Sequence, residues 1–479
     1  MDKTAEQQKF TQGVRAMQYK STGCQITTVD KTTDKLTGRG GLSFILRYLE
    51  KIKFFNLAAE TLPETRGSKK AKSAEFMLRQ IMAKIIDGTE NSLISLDRLK
   101  TDTGYAAALE VLPDKLVSSH MVKRFFKKFI GQKYKSYQNL LHKLFVWRLV
   151  QERPSVIVLD IDTMVLDNDD AQKRHGVDVT YKKKRGFQPL QITWGGRIVS
   201  AFFRRGSAHS NHGSDVQRIV KVLVERIRNG YSRTVPIILT CDSGFLDEKN
   251  FKYFEDTLQI NYICYGKLYG SVKKQVEKID SKEYCTYSSQ KNRWQYCEFV
   301  NKLDSWETGR RTIYTKLENN QQQLMLEFAR PDSILYTNLG SDKCQTEHLR
   351  ESGNVDHLKA SKIIELAHGR GVSELTNRSV KDFMCKEQLP FKLFGMNAAY
   401  YFVQVISHFL FECYKTDVAC DVVSKSSYPT TVRRKLIDFA AKIISTGNRI
   451  ILQVTESVWH GTKILRLWRR CNAPPTICL

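Results

Sequence analysis

The sequence lacks several features that define common classes of protein. Its 11 cysteines include no pair at the short spacing of a zinc knuckle, and their odd number does not suit a disulfide framework. No stretch approaches the roughly 18 apolar residues of a membrane span. The opening segment, MDKTAEQQKF, has no apolar core of the kind found in signal peptides. Internal repeats and low-complexity tracts are also missing. We therefore expect a cytoplasmic protein with reduced thiols.

Acidic residues are scarce relative to basic ones. The 479-residue chain has 50 Asp and Glu against 76 Lys and Arg, which gives a formal charge of +26 and a pI near 9.5. Such an excess indicates a polyanionic partner, and nucleic acid is the commonest. A ribosome-associated protein, a binder of anionic surfaces and a soluble protein that happens to be basic are the alternatives. With 41% hydrophobic residues, the chain can bury a substantial core in roughly two to four domains.

Residues 1–150 are expected to form a helical DNA-binding region. Apolar residues recur there at a helical period. Ser118-Ser119 can cap a following helix, which interleaves phenylalanines with basic residues such as Lys123 and Arg124. A basic helix after a turn can enter a DNA groove. A solvated basic face on a core helix explains the same pattern equally well.

Residues 151–266 have the pattern of an α/β domain. The apolar run at 156–159 predicts a strand buried on both faces, and two strands joined by Gly195-Gly196 predict a hairpin. An amphipathic helix, a buried strand that ends at Thr240, a second helix and a last strand follow. The order β-β-β-α-β-α-β predicts a mixed sheet flanked by helices.

The rest of the chain divides into three segments. Residues 267–353 carry short strand patterns between polar turns, which predict an all-β insertion. Its expected strands are Trp294–Val300, Arg311–Leu317, Leu324–Phe328 and Ser333–Leu339. Residues 354–420 return to helices that complete the core, and residues 421–479 form a basic C-terminal region.

Three aspartates stand at the ends of predicted strands. Asp160 and Asp162 close the run VIVLDID, and Asp242 closes ILTCDSG. Charged groups at the end of a buried strand need water, cations or a metal around them. If the two strands are neighbours, the carboxylates emerge at one edge of the sheet, where oxygen donors suit Mg²⁺ or Mn²⁺. Each aspartate taken alone can equally be a turn residue that hydrogen-bonds its local backbone.

Four segments carry a resemblance to a known family. LDIDTMVL, RRGSAHSN, CDSGF and GRGVSELTNRSVK resemble motifs of bacterial insertion-sequence DDE (Asp-Asp-Glu) transposases. More narrowly, they resemble the cut-and-paste group, which has a Tyr-Arg-Glu-Lys signature and a β-rich insertion before the Glu. The resemblance implies a ribonuclease H-like catalytic core with an all-β insertion and a helical N-terminal DNA-binding region.

The resemblance also assigns roles to individual residues. Asp162, Asp242 and Glu374 match the catalytic metal ligands, and Arg370 and Lys381 stand at the spacing of the signature's Arg and Lys, which implies phosphate contacts. On a helix, Arg370, Glu374 and Lys381 share one face. An ordinary Arg–Glu pair on a solvated helix is the alternative interpretation.

Two positions depart from the simplest match. Asp160, two residues before Asp162 on the same strand face, is the alternative metal ligand. The signature's Tyr falls on Ala367, and neighbouring His368 is the candidate to supply the missing contact to DNA.

The implied activity is cut-and-paste DNA transposition. The protein would bind terminal inverted repeats and hydrolyse the phosphodiester at the element ends. It would then join the freed 3′-hydroxyls to target DNA, using two Mg²⁺ ions that Mn²⁺ can replace. The partners would be double-stranded DNA and a second copy of the chain on the paired ends, with a nucleoid-associated location. A site-specific nuclease without strand transfer and a domesticated DNA-binding protein that does not cut are the alternatives.

Weaker signals suggest further DNA contacts. Lys183 and Lys184 belong to a basic run that can line a DNA channel or be a solvated loop, and Arg204 and Arg205 are phosphate-contact candidates at the end of a strand. Trp294 in the insertion can stack on a flipped base, since an aromatic face tolerates any base. Trp306, also in the insertion, is a second candidate for this stacking. Core packing is the alternative for both tryptophans.

Overall fold

A computed structural model describes residues 28–63, 72–90, 92–288, 293–318 and 332–477. It is a mixed α/β structure in which helices flank one large sheet. This confirms the fold class expected from the sequence at the level of a mixed sheet flanked by helices. Within the described ranges no helix has the length and apolar character needed to cross a lipid bilayer.

The helices are distributed along the described residues. In chain order they are α1 (Leu42–Lys51), α2 (Phe54–Thr61), α3 (Ala74–Asp87), α4 (Ser95–Arg98), α5 (Thr103–Ala108), α6 (Ser119–Lys127), α7 (Lys135–Glu152), α8 (Asp215–Gly230), α9 (Glu248–Lys252), α10 (Gly270–Val276), α11 (Thr346–Glu351), α12 (Ala360–His368), α13 (Gly371–Met384), α14 (Phe394–Asp417), α15 (Pro429–Leu436), α16 (Glu456–Gly461) and α17 (Ile464–Asn472).

The strands belong to one nine-stranded sheet and two three-stranded sheets. In chain order they are β1 (Leu36–Thr37), β2 (Ile157–Thr163), β3 (Leu166–Asp167), β4 (Asp178–Val179), β5 (Arg185–Phe187), β6 (Leu190–Trp194), β7 (Arg197–Phe202), β8 (Ile237–Cys241), β9 (Asn261–Tyr265), β10 (Cys285–Ser288), β11 (Arg293–Asn301), β12 (Arg310–Glu318), β13 (Ser333–Thr337), β14 (Ala441–Thr446) and β15 (Arg449–Val454).

The large sheet has the strand order β10-β11-β12-β13-β9-β8-β2-β6-β7. Strands β2, β8 and β9 run parallel, while β6 and β7 form an antiparallel hairpin beside β2. The hairpin turns at Gly195 and Gly196, whose φ angles of +54° and +79° are the left-handed values that glycine adopts without strain. Because β2 and β8 are parallel neighbours, their carboxyl ends lie at the same edge of the sheet. This relationship positions the functional site.

The β-rich segment extends the large sheet. Strand β13 pairs antiparallel with β9, and β12, β11 and β10 follow outward as a meander. The sequence predicted β11, β12 and β13 but not β10, and it did not predict that they join the core sheet. The pairing of β13 with β9 satisfies the backbone groups of β9, which would otherwise be an edge strand. The strand predicted at Leu324–Phe328 lies outside the described residues.

The helical region before β2 packs against the C-terminal region. Strand β1 pairs antiparallel with β14, and the ring of Phe44 on α1 meets Trp468 on α17 at a centroid distance of 5.6 Å. Buried Arg433 on α15 donates hydrogen bonds to the carbonyls of Ile86 at the end of α3 and Phe383 near the end of α13. The first and last parts of the described chain therefore share one packing unit, which local sequence patterns could not indicate.

Candidate functional site

The two strand-end aspartates lie side by side. In the register of β2 and β8, Ile161 pairs with Cys241, so that Asp162 and Asp242 are the next residues on neighbouring strands. Asp242 leaves the sheet at a turn and accepts a hydrogen bond from the backbone N–H of Ser243. Asp162 accepts one from the backbone N–H of Thr163, at 2.7 Å. The sequence prediction that these carboxylates share one edge of the sheet agrees with this geometry.

A single guanidinium stands among the aspartates. Arg370 occupies the N-cap of α13, directly after the break between α12 and α13. Its Nε donates a 2.6 Å hydrogen bond to Asp160, while its terminal nitrogens lie 3.9 Å from Asp162 and 3.7 Å from Asp242. Its ion pairs therefore go to the strand ends and not to Glu374, which removes the interpretation of an isolated Arg–Glu helix pair.

The local electrostatics follow from this crowding. Burial raises the pKa of the Asp162 carboxyl to about 6, against the opposing effect of Arg370. Burial lowers the pKa of the Arg370 guanidinium, but Asp160 and Asp162 outweigh it and raise the pKa above its ordinary value. Arg370 therefore favours the charged form of Asp162 against the effect of burial.

Asp160 has a different environment from the other two aspartates. It is 8% exposed, and its Oδ1 accepts hydrogen bonds from both Arg370 Nε and Thr240 Oγ1, each at 2.6 Å. The cleft described below is lined by Asp162 and Asp242 but not by Asp160. Asp160 therefore anchors Arg370 through Oδ1, and its role as the alternative metal ligand stays a prediction.

A cleft of about 840 Å³ opens over the strand ends. Its acidic and basic lining includes Asp162, Asp242, Glu374, Arg370, Arg378 and Lys381. Glu374 is exposed in the first turn of α13. Lys381 is paired with Glu387 at 2.8 Å, and Glu387 also accepts a hydrogen bond from the backbone N–H of Asp167. The structure brings the whole predicted triad, together with both signature cations, to one cleft.

The fit of this cleft to a divalent metal rests on its donors. Asp162, Asp242 and Glu374 supply the hard carboxylate oxygens that Mg²⁺ and Mn²⁺ bind. Across the residues that the structure describes, no three His, Cys, Asp or Glu side chains are close enough to form a complete ligand group. The types of donor therefore suit a divalent metal, although the three carboxylates are not gathered into one ligand group in this structure, where Arg370 lies beside Asp162 and Asp242.

Two residues of the cleft were missed by the sequence analysis. Asn377, one turn after Glu374, donates a 2.9 Å hydrogen bond to Oδ2 of Asp162. Tyr181, in the turn between β4 and β5, lines the cleft with a ring that is 60% exposed. Partial burial, together with the charges of Asp162 and Asp242, raises the pKa of its hydroxyl. The i+3 spacing from Glu374 was the available signal for Asn377, whereas Tyr181 has no local signal.

The predicted basic contacts fall into two groups. The first group is exposed and consists of Lys183, Lys184 and Arg205. Lys184 is also paired with Asp167. Arg204 is only 6% exposed, and its guanidinium donates to the carbonyls of Gln188 and His209. These donors therefore hold the surrounding loops together, and a phosphate contact by Arg204 stays a prediction.

Trp294 packs against two neighbouring rings. It is 7% exposed and stacks on Tyr287 at 5.6 Å and on His368 at 4.9 Å. Its burial and these contacts favour the core-packing alternative, and stacking on a flipped base stays a prediction. His368 lines the cleft, whereas Ala367, at the position of the signature's Tyr, is buried. Trp306 is buried as well.

Comparison with known proteins gives a family match and a structural match that each cover most of the chain. The family described as "Transposase DDE domain group 1" matches residues 20–473. Among solved structures, a piggyBac transposase in a synaptic complex with hairpin DNA shares 12% sequence identity at a TM-score of 0.37, over 84% of this chain and 80% of that chain. No curated protein matches the chain. The family match spans nearly the whole sequence and includes every residue of the cleft.

Proposed function

The chain belongs to the group 1 DDE-domain transposases, and from that premise we propose that it performs cut-and-paste transposition. It binds the terminal inverted repeats of a mobile element and cleaves the element ends by metal-dependent phosphodiester hydrolysis. It then transfers the freed 3′-hydroxyl ends to target DNA. The proposal includes a ribonuclease H-like core and an origin in bacterial insertion sequences.

The observation that carries the proposal is that Asp162, Asp242 and Glu374 line one cleft. They come from the ends of two parallel strands and from a helix more than a hundred residues further along the chain. Arg370 and Lys381 line the same cleft. Phosphodiester hydrolysis needs carboxylates for the metal and cations for the phosphate, and this cleft has both.

We assign Asp162, Asp242 and Glu374 as the residues that hold two Mg²⁺ ions, for which Mn²⁺ can substitute. When bound, such a pair activates the attacking water or 3′-hydroxyl and stabilises the leaving oxygen. Asn377 fixes the orientation of the Asp162 carboxylate through its hydrogen bond.

The cations of the cleft hold the DNA backbone beside these carboxylates. Arg370 is kept in place by its hydrogen bond to Asp160, and Lys381 by its ion pair with Glu387. Both side chains can contact phosphate oxygens from these positions. We also assign Lys183, Lys184 and Arg205 to the passing DNA, since each is exposed.

The proposed assembly is a homodimer bound to the paired DNA ends. The helical N-terminal region binds the terminal repeats, with Lys123 and Arg124 of α6 on its exposed face. A homodimer holds the paired ends, which allows each subunit to cut the end that the other binds. Sedimentation of the protein with and without end DNA tests this assembly: two protomers per pair of ends are expected.

The experiment that tests the function uses three separate substitutions. Asp162→Ala, Asp242→Ala and Glu374→Ala should each abolish Mg²⁺-dependent cleavage of a labelled duplex that carries the inverted repeats flanking the gene, while binding of that duplex is retained. The matched control is Glu347→Ala on α11, whose side chain is 74% exposed and lies outside the cleft. Full cleavage by any of the three variants removes that residue from the site.

A target plasmid separates transposition from simple cutting. Wild-type protein with labelled ends, Mg²⁺ and a supercoiled plasmid should yield labelled DNA joined to the plasmid through the 3′ ends. Cleavage without joined product would instead identify a site-specific nuclease. Binding of the repeats without cleavage would identify a DNA-binding protein that has lost its catalytic activity.

A further inference from the structure

A second groove, of about 1190 Å³, lies outside the catalytic cleft. Its three walls are α6, the turn at 169–174 and the loop at 390–393. The backbone N–H of His175 donates to the carbonyl of Lys392 at 2.9 Å, which joins the turn to the loop. The ring of Phe126 on α6 packs against Phe391 of the loop at 5.3 Å. The groove is therefore built from elements that are fixed to one another.

The rim of this groove carries an excess of positive charge. The basic side chains are Lys123 and Lys127 of α6, Lys173 and Arg174 of the turn, and Lys392 of the loop. The acidic side chains that line it are Asp169 and Asp170. Five cations thus face two carboxylates, and the floor between them contains the apolar side chains of Phe391 and Met396.

These five cations are not neutralised within the part of the chain that the structure describes. None of them takes part in an ion pair between described side chains, in contrast to Arg370 and Lys381 at the catalytic cleft. The four lysines are exposed. Arg174 is half-buried, and its Nη1 has no hydrogen-bond partner among the described residues. This nitrogen is therefore available to donate to an acceptor in the groove.

The groove and the catalytic cleft are connected through one loop. The segment after α13 carries Glu387, which pairs with Lys381 of the cleft, and then Lys392, which lines the groove. Lys386 of the same segment lies 3.9 Å from Asp170 on the groove wall. A DNA duplex that leaves the cleft past Lys381 and follows this loop therefore meets the groove next.

We propose that this groove binds the sugar–phosphate backbone of duplex DNA that extends beyond the catalytic cleft. The inference rests on the proposed function, because it takes the DNA in the cleft as its starting point. The contacts are lysine and arginine side chains, which read phosphate positions and carry no sequence information. Lys123 and Lys127, four residues apart on α6, lie on the same face of the helix and act together. Phosphate contacts in the groove would thus determine which part of the DNA end lies in the catalytic cleft.

The test is the salt dependence of DNA binding. Each phosphate contact contributes about −0.9 to the slope of log K against log salt. The combined variant Lys123→Gln, Lys127→Gln, Lys392→Gln should lower the magnitude of that slope by about 2 to 3, and it should weaken binding of a long end duplex about 10-fold or more at low salt. Truncating the duplex to the part that fills the cleft should abolish the difference from wild type.

The control variant replaces three exposed lysines that line neither cavity, Lys221→Gln, Lys302→Gln and Lys359→Gln. It matches the change in net charge and should retain the wild-type slope. An unchanged slope in the groove variant overturns the proposal, as does an equal loss in the control. Duplex RNA that competes as well as duplex DNA for the wild-type protein would also overturn the assignment to DNA.

A second measurement uses the wild-type protein and so does not depend on the folding of a variant. Chemical acetylation followed by mass spectrometry should show Lys123, Lys127, Lys173 and Lys392 protected by the long duplex but not by the truncated one. Equal labelling of these lysines with both duplexes contradicts DNA binding in the groove, but it does not contradict the proposed function. Failure of the wild-type protein to cleave end DNA with Mg²⁺, while the long duplex still protects these lysines, contradicts the proposed function alone, so the two failures are distinguishable.

Discussion

Arg370 and Asp160, 210 residues apart in the sequence, form a 2.6 Å hydrogen-bonded ion pair at the edge of the central sheet. The pair joins the start of α13 to the end of β2. Both side chains are largely buried, and Thr240 on β8 completes the contact by donating to the same carboxylate. Three elements of the cleft therefore have their relative positions fixed by one arginine.

Asp160→Asn should destabilise the protein and displace Arg370. Breaking a buried ion pair typically costs about 3–5 kcal/mol. We expect about 2–3 kcal/mol here, because Asp162 and Asp242 remain within 4 Å of the guanidinium. Urea unfolding measures the loss, and the double variant with Arg370→Met should lose less than the sum of the single variants. Additive losses would show that the pair is not coupled.

Asn377→Ala should weaken metal binding without removing a ligand. Its amide orients Asp162, and the loss of such a supporting hydrogen bond typically lowers metal affinity about 10- to 100-fold. Titration calorimetry with Mn²⁺ measures the change directly. Leu375→Ala, a half-exposed position on the same helix outside the cleft, is the control and should leave the affinity unchanged. Equal affinities for both variants would argue against the orienting role.

Two buried histidines should make stability depend on pH. Burial lowers the pKa of both His142 and His408 to about 3, and each hydrogen-bonds a serine hydroxyl. The unfolded chain binds protons at these sites below about pH 6.5, whereas the folded chain stays neutral. Their contribution to stability is therefore fully present above pH 6.5 and is lost as the pH falls towards 3.

The pH effect can be measured as a slope. Each histidine contributes up to about 1.4 kcal/mol per pH unit below pH 6 to the free energy of unfolding. His408→Gln should remove about half of the combined histidine contribution in urea unfolding series between pH 6 and 4.5. His460→Gln, an exposed position on α16, is the control and should preserve the wild-type slope. A His408 variant with that same slope would contradict the prediction.

Trp294 should behave as a packing residue. Trp294→Ala removes a ring that stacks between Tyr287 and His368, so that we expect a loss of about 3–5 kcal/mol in unfolding free energy. Trp294→Phe retains much of the contact and should lose about 1 kcal/mol while binding end DNA like wild type. The fluorescence of 2-aminopurine in the DNA measures whether an unpaired base is stacked. If Trp294→Phe has normal stability but no longer stacks this base, the base-stacking role is supported.

The sequence by itself predicted the parts of the protein that depend on local pattern. The buried runs gave strands β2 and β8, the two glycines gave the hairpin, and the position of Asp162 and Asp242 after those runs gave the shared edge. Strand periodicity and turn chemistry act over a few residues, so that they are visible in sequence. Glu374 came from family resemblance, because an exposed helical glutamate has no distinguishing local pattern.

Only the tertiary structure decided which of these residues touch. Asp160 binds Arg370, Arg204 donates to the carbonyls of neighbouring loops, and Trp294 packs against Tyr287 and His368. Likewise, the groove beside α6 exists because Phe126 packs against Phe391, a contact between residues far apart in the sequence. The physical reason is the same in each case: burial and ion pairing are set by long-range packing, which places a side chain beside partners that its own sequence neighbourhood does not contain.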